Sequence, residues 1–241
     1  VATVMQNLLG EESMLSWGWR LPFLAGIVIG GFGLWMRKGM VEPPAFKKLK
    51  ATENVHKSPV IQVIRDMPGR IGHAAALVVL FGGGFYMLFV WWPTYLTHMV
   101  QPAVPHALMI NTIATLFVMA LIPLSGYLSD RVGRKKMLVA SSLGIAVAAY
   151  PLFVLTDHGV FESALAAQLI FALLFCNIQG SIPATLAEMF PTAMRFSGIA
   201  LGYNLTLALI GGTAPMVCTW LVATTGDIAS PAYYLIVMAL I

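Results

Sequence analysis

Charge is what this sequence has least of. Asp, Glu, Lys and Arg make up 10 % of the 241 residues, while 59 % are hydrophobic and the mean hydropathy is +0.82. A soluble domain needs about 25 % charged residues to cover its surface. A water-facing exterior is therefore excluded, and the composition is that of an all-α integral membrane protein. Cysteine is scarce as well. Cys176 and Cys218 lie in apolar runs without CxxC spacing, which excludes a disulfide framework and a cysteine metal site and leaves them as small packing residues. Low-complexity tracts, short-period repeats and a stretch polar enough for a soluble domain are missing too. With neither an initiator Met nor a signal peptide in view, the sequence reads as a fragment of a longer protein.

What is abundant is long apolar runs. A spanning helix takes about 20 mostly apolar residues. The runs predict six complete spans, at roughly 16–36, 72–96, 106–128, 137–155, 163–189 and 198–223, with the tail of an earlier span in 1–10 and the opening of a later one in 231–241. Segment 37–70 carries Arg37, Lys38, Lys47, Lys48, Lys50, Lys57, Arg65 and Arg70; the next loop on that side carries Arg131, Arg134, Lys135 and Lys136, and the third carries Arg195. Of the 14 basic residues only Arg20 falls on the opposite side. The basic side is the cytoplasmic one, so the protein is expected in the cytoplasmic (inner) membrane with 37–70, 129–136 and 190–197 as cytoplasmic loops. Glu42-Pro43-Pro44 predicts a helix stop, and PVIQVIRDM at 59–67 a short amphipathic helix on the membrane surface. Trp17, Trp19, Trp91, Trp92 and Tyr95 lie near span ends, where interfacial anchoring accounts for them.

The segment GYLSDRVGRKK, Gly126 to Lys136, holds five charges in eleven residues. A phosphate-binding GxxxxGK[ST] loop is excluded, because Gly126 and Gly133 are too far apart and both flanks are membrane spans. Topology alone explains the basic residues but not Gly126, Asp130 and Gly133. Gly126-x-x-x-Asp130-Arg131-x-Gly133-x-Lys135-Lys136 resembles the signature loop of the major facilitator superfamily of secondary transporters, in the copy that joins the eighth and ninth helices. Leu186-Ala187-Glu188-Met189-Phe190-Pro191-Thr192 with Arg195 is similar to the loop after the tenth helix in the sugar-porter and metabolite:proton symporter branches. Trp17-Gly18-Trp19-Arg20-Leu21-Pro22-Phe23 resembles the start of the sixth helix in the symporter branch. Pro231-Ala232-Tyr233-Tyr234 is similar to the start of the twelfth helix in a zwitterion-carrying member of it.

The resemblance implies the C-terminal six-helix bundle of a twelve-helix transporter fold. Residues 1–36 would be the end of helix five and helix six, 37–71 the cytoplasmic central loop, and 72–241 helices seven to twelve, the last truncated. It implies a secondary active transporter that moves a small organic solute by alternating access with proton symport, the solute being a zwitterion such as proline or betaine, or an organic acid. An uncoupled facilitator of the same fold and a non-transporting membrane sensor or assembly subunit remain open as alternatives. The expected partners are the small-molecule substrate, protons as coupling ion, the lipid bilayer and the missing N-terminal half of the same chain, with no nucleic acid, cofactor or metal.

Two groups of candidate residues follow. Gly126, without a Cβ, lets helices approach near the cytoplasmic face, and Gly133 permits a tight turn. Asp130, Arg131, Arg134, Glu188 and Arg195, with Lys135 beside them, form a candidate charged latch whose contacts are made in one state and broken in the other. The solute cavity is expected among polar and aromatic residues of the spans: Tyr86, Phe89, Asn111, Thr115, Asn177, Gln179 and Asn204. At 100° per residue Gln168 and Gln179 share one face of their span and Asn177 and Ser181 the nearly opposite one, and Gln179 is favoured over Asn177. Asn204, Ala208, Gly211, Pro215 and Cys218 line up as a small-residue stripe. Gly82-Gly83-Gly84 and Pro93 suggest either a bendable or broken helix or close helix packing. No carboxylate or Lys lies in the middle of a complete span, so a proton-coupling carboxylate is expected in the missing half. Paired acids, HExxH and Ser/His/Asp groupings are likewise missing from the spans, which argues against a membrane enzyme. His56, His73, His98, His106 and His158 fall in loops or at span ends.

Overall fold

The computed structural model describes residues 5, 8–39 and 59–241. The expected helix stop at Glu42-Pro43-Pro44, most of the central loop and most of segment 1–10 lie outside the described residues. The chain divides into two compact units, Val1–Val55 and His56–Ile241.

In the first unit a short helix α1, Glu11–Ser16, leads through a tight turn at Gly18–Arg20 into α2, Leu21–Lys38. Pro22 at the start of α2 lacks an N–H that the first turn would leave unpaired anyway, and Arg37 and Lys38 sit in the last turn, favourably placed against the helix dipole. The Arg20 guanidinium donates to the Ser16 carbonyl at 3.0 Å and lies 4.4 Å from the Trp19 ring centroid. Phe23, Ile27, Ile29, Leu34 and Trp35 are all exposed within this unit, as suits a helix built to face lipid or other protein.

The second unit runs α3 (Pro59–Asp66), α4 (Pro68–His98), α5 (Ala107–Val132), α6 (Arg134–Leu155), α7 (Phe161–Met189), α8 (Arg195–Thr225) and α9 (Pro231–Leu240). Five of these and the segment Gly18–Lys38 are long and apolar enough to cross a membrane, matching the six expected spans. At about 1.5 Å per residue the longer ones exceed a hydrocarbon core of about 30 Å, so their ends reach water. That is why 129–136, expected as a loop, is almost wholly helix: α5 continues through Val132 and α6 begins at Arg134. The charged residues are acceptable helix formers once solvated. The break is a single residue, Gly133, at φ 104° and ψ 128°, a conformation that L side chains rarely adopt.

α7 packs chiefly on α5 and α6, α4 on α8, and α9 on α6, while α3 lies against α4 and α8. α3 buries Val63 and leaves Val60, Ile61 and Ile64 exposed. α4 is neither broken nor regular. It is one helix with two wide, π-type turns, Val79–Gly83 and Tyr86–Trp91. Its three consecutive glycines also serve close packing: a Cβ on Gly82 would meet Leu207 of α8 at 2.8 Å, and one on Gly84 would meet Phe175 of α7 at 3.0 Å. A third wide turn, Leu207–Gly211, sits in α8. It inserts one residue, so the expected stripe does not stay on one face. Asn204, Ala208, Gly212 and Met216 are exposed, while Gly211 and Cys218 are buried.

At the outer end Trp92, Tyr95, Phe153 and Phe171 are fully buried and meet edge to face or tilted, with centroids 5.0–6.1 Å apart. The Thr156 hydroxyl donates to the Phe153 carbonyl at 2.7 Å, so the Tyr95 phenol donates to Thr156 at 3.2 Å. Trp91 donates its indole N–H to Thr219 of α8 at 3.0 Å. Each polar tip of this aromatic knot except the Trp92 indole is thereby satisfied.

Candidate functional site

The cytoplasmic end holds the charged group. Arg134, the first residue of α6, reaches back across the Gly133 turn to Asp130 of α5 at 3.1 Å and across to Glu188 of α7 at 2.6 Å. The contact with Glu188 is a charge pair rather than an aligned hydrogen bond. Asp130 and Glu188 side chains are 64 % and 67 % exposed against 24 % for Arg134, so one sheltered cation holds two wet carboxylates. The structure thus brings three of the five latch residues together. Arg131 instead lies over the Tyr127 ring at 4.6 Å, and the Arg195 Nε donates to the Phe190 carbonyl at 3.3 Å. Lys135 takes no part in these pairs. Arg70, at the start of α4, donates to the Met189 carbonyl at 2.8 Å. Five helix ends from the basic side of the sequence, those of α4, α5, α6, α7 and α8, therefore meet at one end of the bundle, in keeping with the sidedness read from the charges.

One turn inward, α5 and α7 cross closely. A Cβ on Gly180 would sit 2.8 Å from the Gly126 nitrogen and 2.9 Å from the Ser125 hydroxyl, whereas one on Gly126 would meet only the Gly180 carbonyl at 3.7 Å. The crossing depends on Gly126 for proximity but on Gly180 for space. Ser125 donates to the Asn177 Oδ1 at 2.9 Å, so Asn177 serves this crossing. The signal for Gly180 was present in the sequence as the small-residue spacing Gly180-x-x-x-Ala184.

The cavity candidates are spread over α4, α5, α7 and α8. Tyr86 and Phe89 lie in the second wide turn of α4. Phe85 stacks on Phe89 at 5.6 Å and meets Tyr86 edge to face at 6.0 Å, and the Tyr86 ring packs over Gly211 of α8. Asn111, one turn inside the outer end of α5, donates from Nδ2 to the Phe89 carbonyl at 3.0 Å. Gln168 of α7, fully buried, donates from Nε2 to the Leu88 carbonyl at 3.0 Å and to the Asn111 Oδ1 at 2.7 Å. Sequence reasoning placed Gln168 on a face with Gln179 but did not select it; a lone amide in an apolar run was the available signal. Thr115 is exposed, and its hydroxyl donates to the Asn111 carbonyl in its own helix. Asn204 is exposed and Gln179 half-buried. A separate cleft of about 490 Å³ between α4, α6, α7 and α9 is almost entirely apolar, with His73 and Ser142 its polar members, and includes none of these candidates. Among the described residues no three His, Cys, Asp or Glu side chains gather as a metal would require.

Residues 101–241 match the family model of the Major Facilitator Superfamily. The chain is 31 % identical over 250 residues to the proline/betaine transporter of Salmonella typhimurium and 30 % to that of Escherichia coli K12. It is 32 % identical over 257 residues to the glycine betaine/proline/ectoine/pipecolic acid transporter of Dickeya dadantii. Each alignment covers 100 % of this chain and 50 % of the relative, so the chain spans about half the length of the curated relatives it matches. No solved structure matches it. Six apolar spans together with these matches make it a multi-pass protein of the inner membrane, and the relatives are transporters, not enzymes.

Proposed function

Because the chain belongs to the major facilitator superfamily, we propose that it forms half of a secondary transporter carrying a small organic zwitterion, of the proline or betaine type, by alternating access with proton symport. The observation that carries this reading is identity of 30–32 % along the whole chain to transporters named for such solutes. The chemistry of the outer half is compatible with it. The interiors of the spans hold no Asp, Glu, Lys or Arg, so this half contributes aromatic faces, amides and backbone rather than a full counter-charge. Half-buried Phe85 and Tyr86 offer ring surface to a quaternary or secondary ammonium, an attraction of about 0.5–2 kcal/mol per ring once desolvated, while Phe89 is buried between Phe85 and Phe175 and supports them from behind. Exposed Thr115 and Asn204 offer polar contacts on α5 and α8. A proton-accepting carboxylate and the other wall of the cavity belong to the remaining half of the fold.

The Asp130–Arg134–Glu188 group acts in this scheme as a cytoplasmic latch. It is formed when the inner ends of α5, α6 and α7 are drawn together and released when they part. Its carboxylates keep most of their water in the closed state, so opening meets only a small barrier.

The test is uptake of labelled proline and glycine betaine by the full-length protein in proteoliposomes, with and without an imposed inward proton gradient. Accumulation above equilibrium only with the gradient is expected. Uptake of neither zwitterion sinks the substrate class, and equilibration indifferent to the gradient makes the protein an uncoupled facilitator.

A further inference from the structure

The two amides at the outer end of the bundle have an unusual target: adjacent carbonyls of one helix. Ordinarily a helical carbonyl at position i is satisfied by the N–H at i+4, or at i+5 in a π turn. For Phe89 the i+4 residue is Pro93; for Leu88 the i+5 residue is also Pro93. Proline has no N–H. The wide turn Tyr86–Trp91 ends here and regular helix resumes at Trp92. Whichever register the chain takes, one of these two carbonyls is aimed at a residue that cannot donate. The Asn111 Nδ2 reaches Phe89 at 3.0 Å and the Gln168 Nε2 reaches Leu88 at 3.0 Å.

The orientation of both amides follows from these targets. Reversing either one would set oxygen against a backbone carbonyl, and the Asn111 Oδ1 is already held at 2.7 Å by Gln168. Gln168 keeps this orientation although it leaves its own Oε1 buried without a partner, at a residue that is 0 % exposed. Supplying a donor to Leu88 outweighs satisfying that oxygen.

We infer that Asn111 and Gln168 are positioning residues that replace the donor Pro93 lacks and keep α4 satisfied in both its π and α registers. The exchange turns the outer segment, Trp92–His98, about the helix axis relative to the aromatic turn Phe85–Phe89 by about 100° per residue gained or lost. Neither carbonyl is stranded by that motion, which in a dry interior would otherwise forbid it. The role in moving the solute rests on the transport reading above; the replacement of the missing donor does not.

The experiment separates the two in the full-length protein, using thermal unfolding and uptake kinetics. Gln168→Leu is expected to lower the melting temperature by roughly 4 °C or more, because a carbonyl loses its donor in the interior. Pro93→Ala restores one N–H, so Gln168→Leu added to Pro93→Ala should lower it by less than half as much. Equal losses in the two backgrounds would overturn the inference. If Gln168→Leu does not fold alone, recovery of folding in the Pro93→Ala background supports it, and failure in both backgrounds counts against it, with Asn111→Ser run as the milder form of the same comparison. In uptake, Pro93→Ala should favour one register and reduce turnover roughly fivefold with KM nearly unchanged. Unchanged turnover would remove register exchange from the mechanism, and a wild-type protein without uptake would fail the transport reading while the melting comparison still judges the amides.

Discussion

The two ends of the bundle are closed by different physics. At the outer end four aromatic rings from α4, α6 and α7 are fully buried against one another, and hydroxyls take up the polar tips of Tyr95 and Trp91. At the cytoplasmic end a single arginine collects two largely hydrated carboxylates, and Arg70 and Arg195 hold the last residue of α7 and the one after it by their carbonyls. The first closure is dry, short-ranged and indifferent to salt. The second is long-ranged, individually weak and screened by salt within about 10 Å at 0.1 M. A bundle built this way can keep its outer packing while its inner ends trade partners.

The contrast can be broken most forcefully at the aromatic knot. Trp92→Ala should destabilise the folded protein by about 3–5 kcal/mol, since no neighbour can fill the space of an indole; thermal unfolding in detergent at low and high salt should show the same loss at both. Next comes the α5–α7 crossing. Gly180→Val should cost about 1–3 kcal/mol through overpacking, whereas Gly126→Ala, with 3.7 Å of room, should fold nearly as well as the parent. Equal penalties at the two glycines would show that the crossing is looser than described. At the turn between α5 and α6, Gly133→Ala should cost roughly 1–2 kcal/mol for its positive φ, read as a lower midpoint of unfolding. The smallest effect on stability belongs to the latch: Glu188→Gln should change it by about 1 kcal/mol or less. The same substitution should shift cytoplasmic accessibility of a reporter cysteine toward the open state, and high salt should mimic it in the parent. A salt-sensitive loss at Trp92, or a large loss at Glu188, would reverse the assignment of the two ends.

Span number, sidedness and the charged turn were legible because each rests on composition or on a motif of fixed spacing. Twenty apolar residues in a row have few other uses, and thirteen basic residues on one side leave little choice of orientation. Asp130 and Arg134 were legible as members of one charged group because the motif sets them on either side of Gly133, but which arginine Asp130 pairs with was not. Other features were hidden for a common reason. A helical wheel assumes one repeat along its whole length, so it cannot announce the inserted residue at Leu207–Gly211 or the wide turns of α4. The burial of Gln168 was hidden because one of its targets is a main-chain carbonyl, which carries no residue identity, and the other is a side chain 57 positions away on another helix. Pro93 suggested a break, yet its effect is taken up by side chains 18 and 75 positions away in the chain, a compensation visible only once three helices are side by side.

The inserted residue in α8 bears directly on how the helix would be mapped in solution. Cysteines introduced one at a time from Phe196 to Thr225 and labelled with a water-soluble reagent would trace two waves rather than one. The peaks through Asn204 and Ala208 should resume at Gly212 and Met216, one position late, and fitting the whole profile with a single sinusoid would flatten it into apparent irregularity. A scan of α5, which has no such turn among its described residues, should keep one beat from end to end.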